Sequence, residues 1–173
     1  MDLALDSACF ADAPPIAGEV ARGVTRLFCR HDLFAICEMP LPNGRRADMM
    51  AIDPKGALTI VEIKVAKADL VGDSKWTDYL DYCDHFYWAV PPYLAAILEH
   101  ERYLPGAAGL IVADRYDAAI MREAVHRPLA PARRKAELLR FARRAAHTLG
   151  LEPGVEIWVS IKATEIALEP DGG

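Results

Sequence analysis

A chain of 173 residues with 53% hydrophobic content can bury one sizeable core and is too short to make two independent domains the default. Its first ten residues carry acids but no lysine or arginine, and no apolar run approaches the roughly 20 residues that cross a bilayer; the expected setting is soluble and cytoplasmic, with no membrane partner. The net charge of −5 argues at first against nucleic acid, since phosphate contacts dominate affinity for DNA, but the charge is unevenly spread. From Arg127 to Thr148 seven basic residues stand against a single acid, Glu137, which suits one basic face and one acidic pocket. The four cysteines form no C-x-x-C pair and the five histidines show no spacing for joint ligation, so neither a zinc site nor a disulfide framework is expected.

In chain order, an irregular lead-in through Pro14-Pro15 precedes a first helix over Ala17–Arg30, with Val20, Val24, Leu27 and Phe28 on one face. Leu33–Leu41 reads as extended, Pro42-Asn43-Gly44 as a turn, and Arg46–Asp53 as a second strand. After the turn Asp53-Pro54-Lys55-Gly56, the β-branched run Ala57–Val65 is the strongest strand signal and belongs at the centre of a sheet. A helix over Asp73–Cys83, capped by Asp73, sets Trp76, Leu80 and Cys83 on one side and Lys75, Tyr79 and Tyr82 on the other. Phe86–Val90 is a strand stopped by Pro91-Pro92. A short helix near Tyr93–His100, strands at Leu110–Ala113 and Ala118–Val125, and a long amphipathic helix over Pro131–Leu149 follow. That last helix turns Leu138, Ala142, Ala145 and Leu149 inward and Arg133, Arg140 and Arg144 outward. Val155–Ile161 alternates as a final strand.

Three places show an acid two residues before a lysine: Asp53-Pro54-Lys55, Glu62-Ile63-Lys64 and Asp73-Ser74-Lys75. The first sits in a proline turn and the third at a helix start, where the acid is already explained. Only Glu62 and Lys64 lie in an apolar strand, where alternation puts them on the face of Leu58 and Ile60. An isolated charge there costs several kcal/mol, so the pair must be matched to each other, to a metal, or to a site open to water. Asp48 stands on the preceding strand, joined by a turn short enough to force antiparallel neighbours, and its carboxylate is expected to meet that of Glu62. Two converging carboxylates suit Mg²⁺ or Mn²⁺, with the Ile63 carbonyl as a further ligand. Asp48 and Glu62 would hold the ion and Lys64 would position a water or stabilise phosphate charge, the chemistry of phosphodiester hydrolysis.

Asp48, thirteen intervening residues and then Glu62-x-Lys64, in the order helix, three strands, helix, strand, resembles the PD-(D/E)xK nuclease superfamily of restriction-endonuclease-like fold. The run RRADMMAIDPKGALTIVEIKVAKADLVGDSKWTDYLDYCDHFYWAVP, Arg45–Pro91, is similar to the MmcB family of bacterial DNA repair proteins, and the likeness extends over about Ala17–Leu149. The resemblance implies an α/β fold with a central mixed sheet flanked by helices, a DNA repair role, and catalytic duty for Asp48, Glu62 and Lys64. Ala47 stands where the superfamily's name has a proline. An acid from the first helix often joins such sites, and the resemblance offers Glu19 as that further metal ligand. One domain is expected over residues 1–173, with a nuclease-like core at 17–91, a C-terminal extension carrying the basic helix at 92–162, and flexible ends at 1–15 and 169–173.

Around this centre, Lys75, Tyr79 and Tyr82 are expected to contact DNA beside the site, and Arg133, Arg140 and Arg144 to bind phosphates. Histidines 85 and 126 have no identifiable partner and no assigned role. The leading expectation is a metal-dependent nuclease acting on damaged or branched DNA, as a homodimer or with a repair-protein partner. The alternative is a catalytically silent DNA-binding or adaptor module of the same fold. A protein-interaction domain without a nucleic-acid role is a more distant third, distinguished by having no salt-dependent DNA affinity.

Overall fold

Residues 15–72, 75–98 and 106–150 are described by the computed structural model. Helix α1 (Pro15–Arg30) turns Val20, Ala21, Val24, Leu27 and Phe28 to one side, and all five are buried, as the 3–4 spacing of an amphipathic helix requires. Strands β1 (Phe34–Pro40), β2 (Arg46–Ile52) and β3 (Leu58–Ile63) form an antiparallel meander. Its two tight turns rest on Gly44 and Gly56, whose positive φ angles of 80° and 82° a side chain would strain. At the second turn the Asp53 carboxylate accepts the amides of Lys55 and Ala57, so this acid is consumed by turn geometry as the sequence indicates.

From β3 the sheet continues in parallel through β4 (His85–Val90) and β5 (Gly109–Ala113), then closes with antiparallel β6 (Ala118–Arg122), giving a six-stranded mixed sheet in chain order. Parallel strands with both faces covered become continuous apolar runs; every residue of β3 is buried. One face packs under α1 through Met49, Ala51, Val61, Ala89 and Ile111. The other packs through Met50, Leu58, Ile60, Phe86 and Trp88 under a 3₁₀ helix, Trp76–Tyr82, and helix α4 (Pro131–Thr148). This mixed α/β architecture is consistent with a restriction-endonuclease-like fold. No helix among the described residues is long and apolar enough to cross a membrane.

The helix expected over Asp73–Cys83 is replaced by a short helix α2 (Lys67–Gly72) and the 3₁₀ helix; Asp73 itself lies outside the described residues. With three residues per turn, Trp76, Tyr79 and Tyr82 share one face, and Tyr79 and Tyr82 are buried. Helix α3 (Pro92–Leu98) follows β4. Strand β6 ends at Arg122 rather than Val125, although the Val125 amide still donates to the Ala107 carbonyl at 3.3 Å before the chain crosses to α4. The final strand expected over Val155–Ile161 lies outside the described residues. Cys37 is disulfide-bonded, a single bond that spacing along the chain did not announce, while Cys29 and Cys83 are free.

Asp84, buried at the start of β4, ties the two halves together. Its carboxylate accepts the amides of Leu58 and Leu129 and a bidentate pair of bonds from Arg134 at 2.8 and 2.6 Å. Burial alone would raise this carboxyl, but the donors from Arg134, Leu58 and Leu129 outweigh it and hold the group below its ordinary value. The result fixes α4 to the base of β3 and β4.

Candidate active site

The register of β2 on β3 runs from Ile52 opposite Leu58 to Met49 opposite Val61. Beyond that point side chains replace ladder bonds. The amide of Asp48 donates to Glu62 Oε1 at 3.2 Å, and the amide of Ile63 donates to Asp48 Oδ2 at 2.7 Å. Each carboxylate therefore serves the opposite strand's backbone, and the exchange brings the two acids together, as alternation on adjacent antiparallel strands led one to expect. Glu62 is 4% exposed, Asp48 is half-buried and Lys64 is half-buried.

Burial pushes the Glu62 carboxyl up to about 8, with the neighbouring Asp48 charge adding to the rise; the Asp48 amide, Lys64 and a hydrogen bond with Tyr79 oppose it. Asp48 is also raised, chiefly by burial, against the pull of the Ile63 amide and Lys64. Two carboxylates this close and this dry favour holding a proton between them. A divalent cation would replace that proton, adding to the positive charge that Lys64 already brings to both carboxyls.

Lys64 directs its Nζ over the Trp88 ring, 5.1 Å from the centroid, a cation–π contact on the indole that stands opposite Glu62 in the β3–β4 register. Sequence reasoning missed two neighbours of the pair. Glu38 and Arg46 form an ion pair at 2.6 Å, and both charges act on Asp48, Glu38 raising its carboxyl and Arg46 lowering it. Arg46 was legible, since it stands two residues before Asp48 on one strand. Glu38 was not: it takes a left-handed φ of 55° in the middle of β1, where nothing but the fold requires it.

The residues expected to meet DNA divide. Lys75 is exposed. Tyr79 and Tyr82 are not surface residues, a correction that follows from the 3₁₀ period. Tyr79 stacks near Phe86 at 5.9 Å and meets Glu62, while Tyr82 lies beneath the Arg133 guanidinium at 5.0 Å. On α4 the inward face is built from Glu137, Leu138, Phe141 and Ala145; Ala142 and Leu149, expected inward, are exposed. Glu137, whose side chain is wholly buried, holds Arg140 at 3.1 Å and Arg133 at 3.8 Å. Arg144 reaches the Glu38 carbonyl at 3.5 Å, so the last turns of the basic helix lie beside Glu38, whose charge acts on Asp48. Glu19 is placed elsewhere: it binds Arg115 at 2.7 Å, and its helix packs on the opposite face of the sheet from Glu62.

The histidines without a role in the sequence find each other. His85 and His126 stack with centroids 4.9 Å apart, and burial, then the second ring, lower the His85 pKa.

Among the described residues no three histidine, cysteine or acidic side chains converge to hold a metal. The donor set at the ladder's end is two carboxylates plus backbone. That set fits Mg²⁺, which is commonly held by one or two carboxylates and keeps several waters, and does not fit a structural zinc cage.

A mixed sheet with paired acids and a lysine at the end of its central strand defines an α/β protein with a polar centre cut into an apolar sheet. The chain belongs to the family described as DNA repair protein MmcB-like, whose model matches residues 10–152. A solved structure, the SPO1766 protein of unknown function from Silicibacter pomeroyi, is 41% identical, with a TM-score of 0.71 over 80% of this chain and 90% of that one. No curated protein matches the sequence.

Proposed function

We propose that Asp48, Glu62 and Lys64 form a divalent-metal-dependent nuclease-type site that hydrolyses DNA phosphodiester bonds in repair, in the manner of the PD-(D/E)xK superfamily. The observation that carries this reading is the reciprocal bonding of Asp48 and Glu62 across the end of the β2–β3 ladder, with Lys64 beside them. Membership in a DNA repair family supplies the setting. In this reading Asp48, Glu62 and the Ile63 carbonyl hold Mg²⁺ or Mn²⁺. When bound, the ion supplies a water of lowered pKa and neutralises the pocket toward phosphate. Lys64 orients the attacking water or balances charge developing on the phosphoryl oxygens. Arg144, Arg140 and Arg133 lie along α4 from the site outward and give the backbone of the duplex a row of guanidinium groups.

Linear, nicked, flapped and branched DNA, incubated with Mg²⁺ or Mn²⁺, tests this directly. The wild-type protein should cut at least one of these, and Asp48→Ala and Lys64→Ala should each lose at least about a hundredfold in rate, the scale on which such electrostatic groups act. Absence of cleavage on every substrate rejects the nuclease reading.

A second reading rests on burial. With the Glu62 carboxyl pushed up to about 8, the pocket at neutral pH stabilises a proton, as expected of a silent DNA-binding or adaptor module. Calorimetry separates the two: the nuclease reading requires Mg²⁺ or Mn²⁺ binding that strengthens as pH rises, whereas the adaptor reading requires DNA binding with no heat from either ion.

A further inference from the structure

The tyrosines expected to contact DNA, Tyr79 and Tyr82, are in the core, yet a tyrosine to which the sequence reading gave no role is open and fixed. Tyr93, at the start of α3, is 58% exposed, and its hydroxyl donates to the Val65 carbonyl at 2.7 Å. Val65 follows Lys64 directly. A large apolar ring is thus left in water but held by its polar end to the chain that carries the lysine. Its neighbour Pro92 lines a shallow recess of about 230 Å³, whose other walls come from Val112, Ala113 and Asp114 and from Asp117, Ala118 and Ala119 on either side of the β5–β6 turn. Two acids, Asp114 and Asp117, edge that recess. Their carboxylates accept backbone amides and, at Asp117, an ion pair from Arg30. Parallel β3, β4 and β5 all end on this side, which puts Lys64, Tyr93 and the recess along one edge of the sheet.

From this arrangement we infer that Tyr93 and the recess form a subsite for an unpaired nucleobase, so that the DNA taken by the carboxylate site carries single-stranded character at or next to the scissile bond. A planar exposed ring offers a base the same face whatever its identity. An acid-edged recess repels phosphate and accepts a neutral base, whose exocyclic amines can donate to carboxylate oxygens. A base inside an intact duplex is stacked on both sides and cannot reach such a ring without being extruded. This subsite rests on the nuclease reading for its position but not for its measurement, because binding can be followed without metal.

Fluorescence anisotropy in EDTA with two oligonucleotides, a blunt duplex and the same duplex bearing a gap with one unpaired 2-aminopurine, tests it. The wild type should bind the gapped DNA more tightly and quench the 2-aminopurine. Tyr93→Ala should weaken gapped binding by about tenfold, abolish the quench and leave blunt binding unchanged, while Tyr93→Phe, which keeps the ring and loses the bond to Val65, should retain the quench. Equal weakening on both DNAs, or a quench that survives Tyr93→Ala, overturns the subsite alone. Wild-type protein that binds neither DNA overturns the subsite and the DNA-directed reading together, whereas gapped binding and quenching without cleavage in Mg²⁺ leaves the subsite standing and removes only the hydrolysis.

Discussion

Glu62 carries a strong electrostatic tension. Its carboxyl moves from an ordinary value of 4.5 to about 8 on folding, because burial and then the Asp48 charge disfavour the anion. The folded state thus binds this proton more tightly than the unfolded chain, so the stability it contributes is full below about pH 4.5 and is lost as pH rises through about 8. Asp48, raised for the same leading reason, acts in the same direction. In EDTA, thermal unfolding followed from about pH 5 to about pH 9 should show the wild type losing stability relative to Glu62→Gln, whose neutral amide keeps the shape without the charge. At the upper end the variant should melt roughly 2–8 °C higher. Parallel curves for the two proteins would mean that the carboxyl is solvated and the pair is not a strained site. Magnesium should reverse the ranking at high pH, because only the wild type keeps both carboxylates to gain from the ion.

Helix α4 buries an acid that the sequence pattern leaves off its inward face. Glu137 breaks the apolar pattern in sequence, yet it is the most buried residue of the helix and gathers Arg133 and Arg140 about itself. That gathering turns a scattered basic run into an ordered row ending at Arg144 beside Glu38. If the row meets phosphates, Arg140→Ala should lower the slope of log K against log salt by about 1 for duplex DNA, since each neutralised phosphate contributes about 0.9. Electrophoretic mobility shifts at several salt concentrations measure it, and an unchanged slope would take Arg140 out of the interface. The 3₁₀ helix teaches the same lesson with another period. Tyr79 and Tyr82 look outward on a 3.6-residue wheel and inward on a 3.0-residue one, and sequence alone does not choose between them.

Across the whole molecule, stability passes through Asp84, where β3, β4, the approach to α4 and α4 itself meet on one carboxylate. Removing one partner of a buried ion pair strands the other, so Asp84→Ala should cost about 3–5 kcal/mol and lower the urea midpoint by roughly 1–3 M. An unaltered midpoint would show that α4 is held by its apolar face alone. The meander, the buried β3 and the pairing of Asp48 with Glu62 were legible in the sequence, because period-2 alternation and short glycine turns are local rules that dictate which residues become neighbours. The left-handed Glu38, the inward Glu137, the stacked His85 and His126 and the exposed Tyr93 were not. Each depends on contacts between segments far apart in the chain, and there the balance of burial against charge is settled by what the fold brings alongside, which no local pattern encodes.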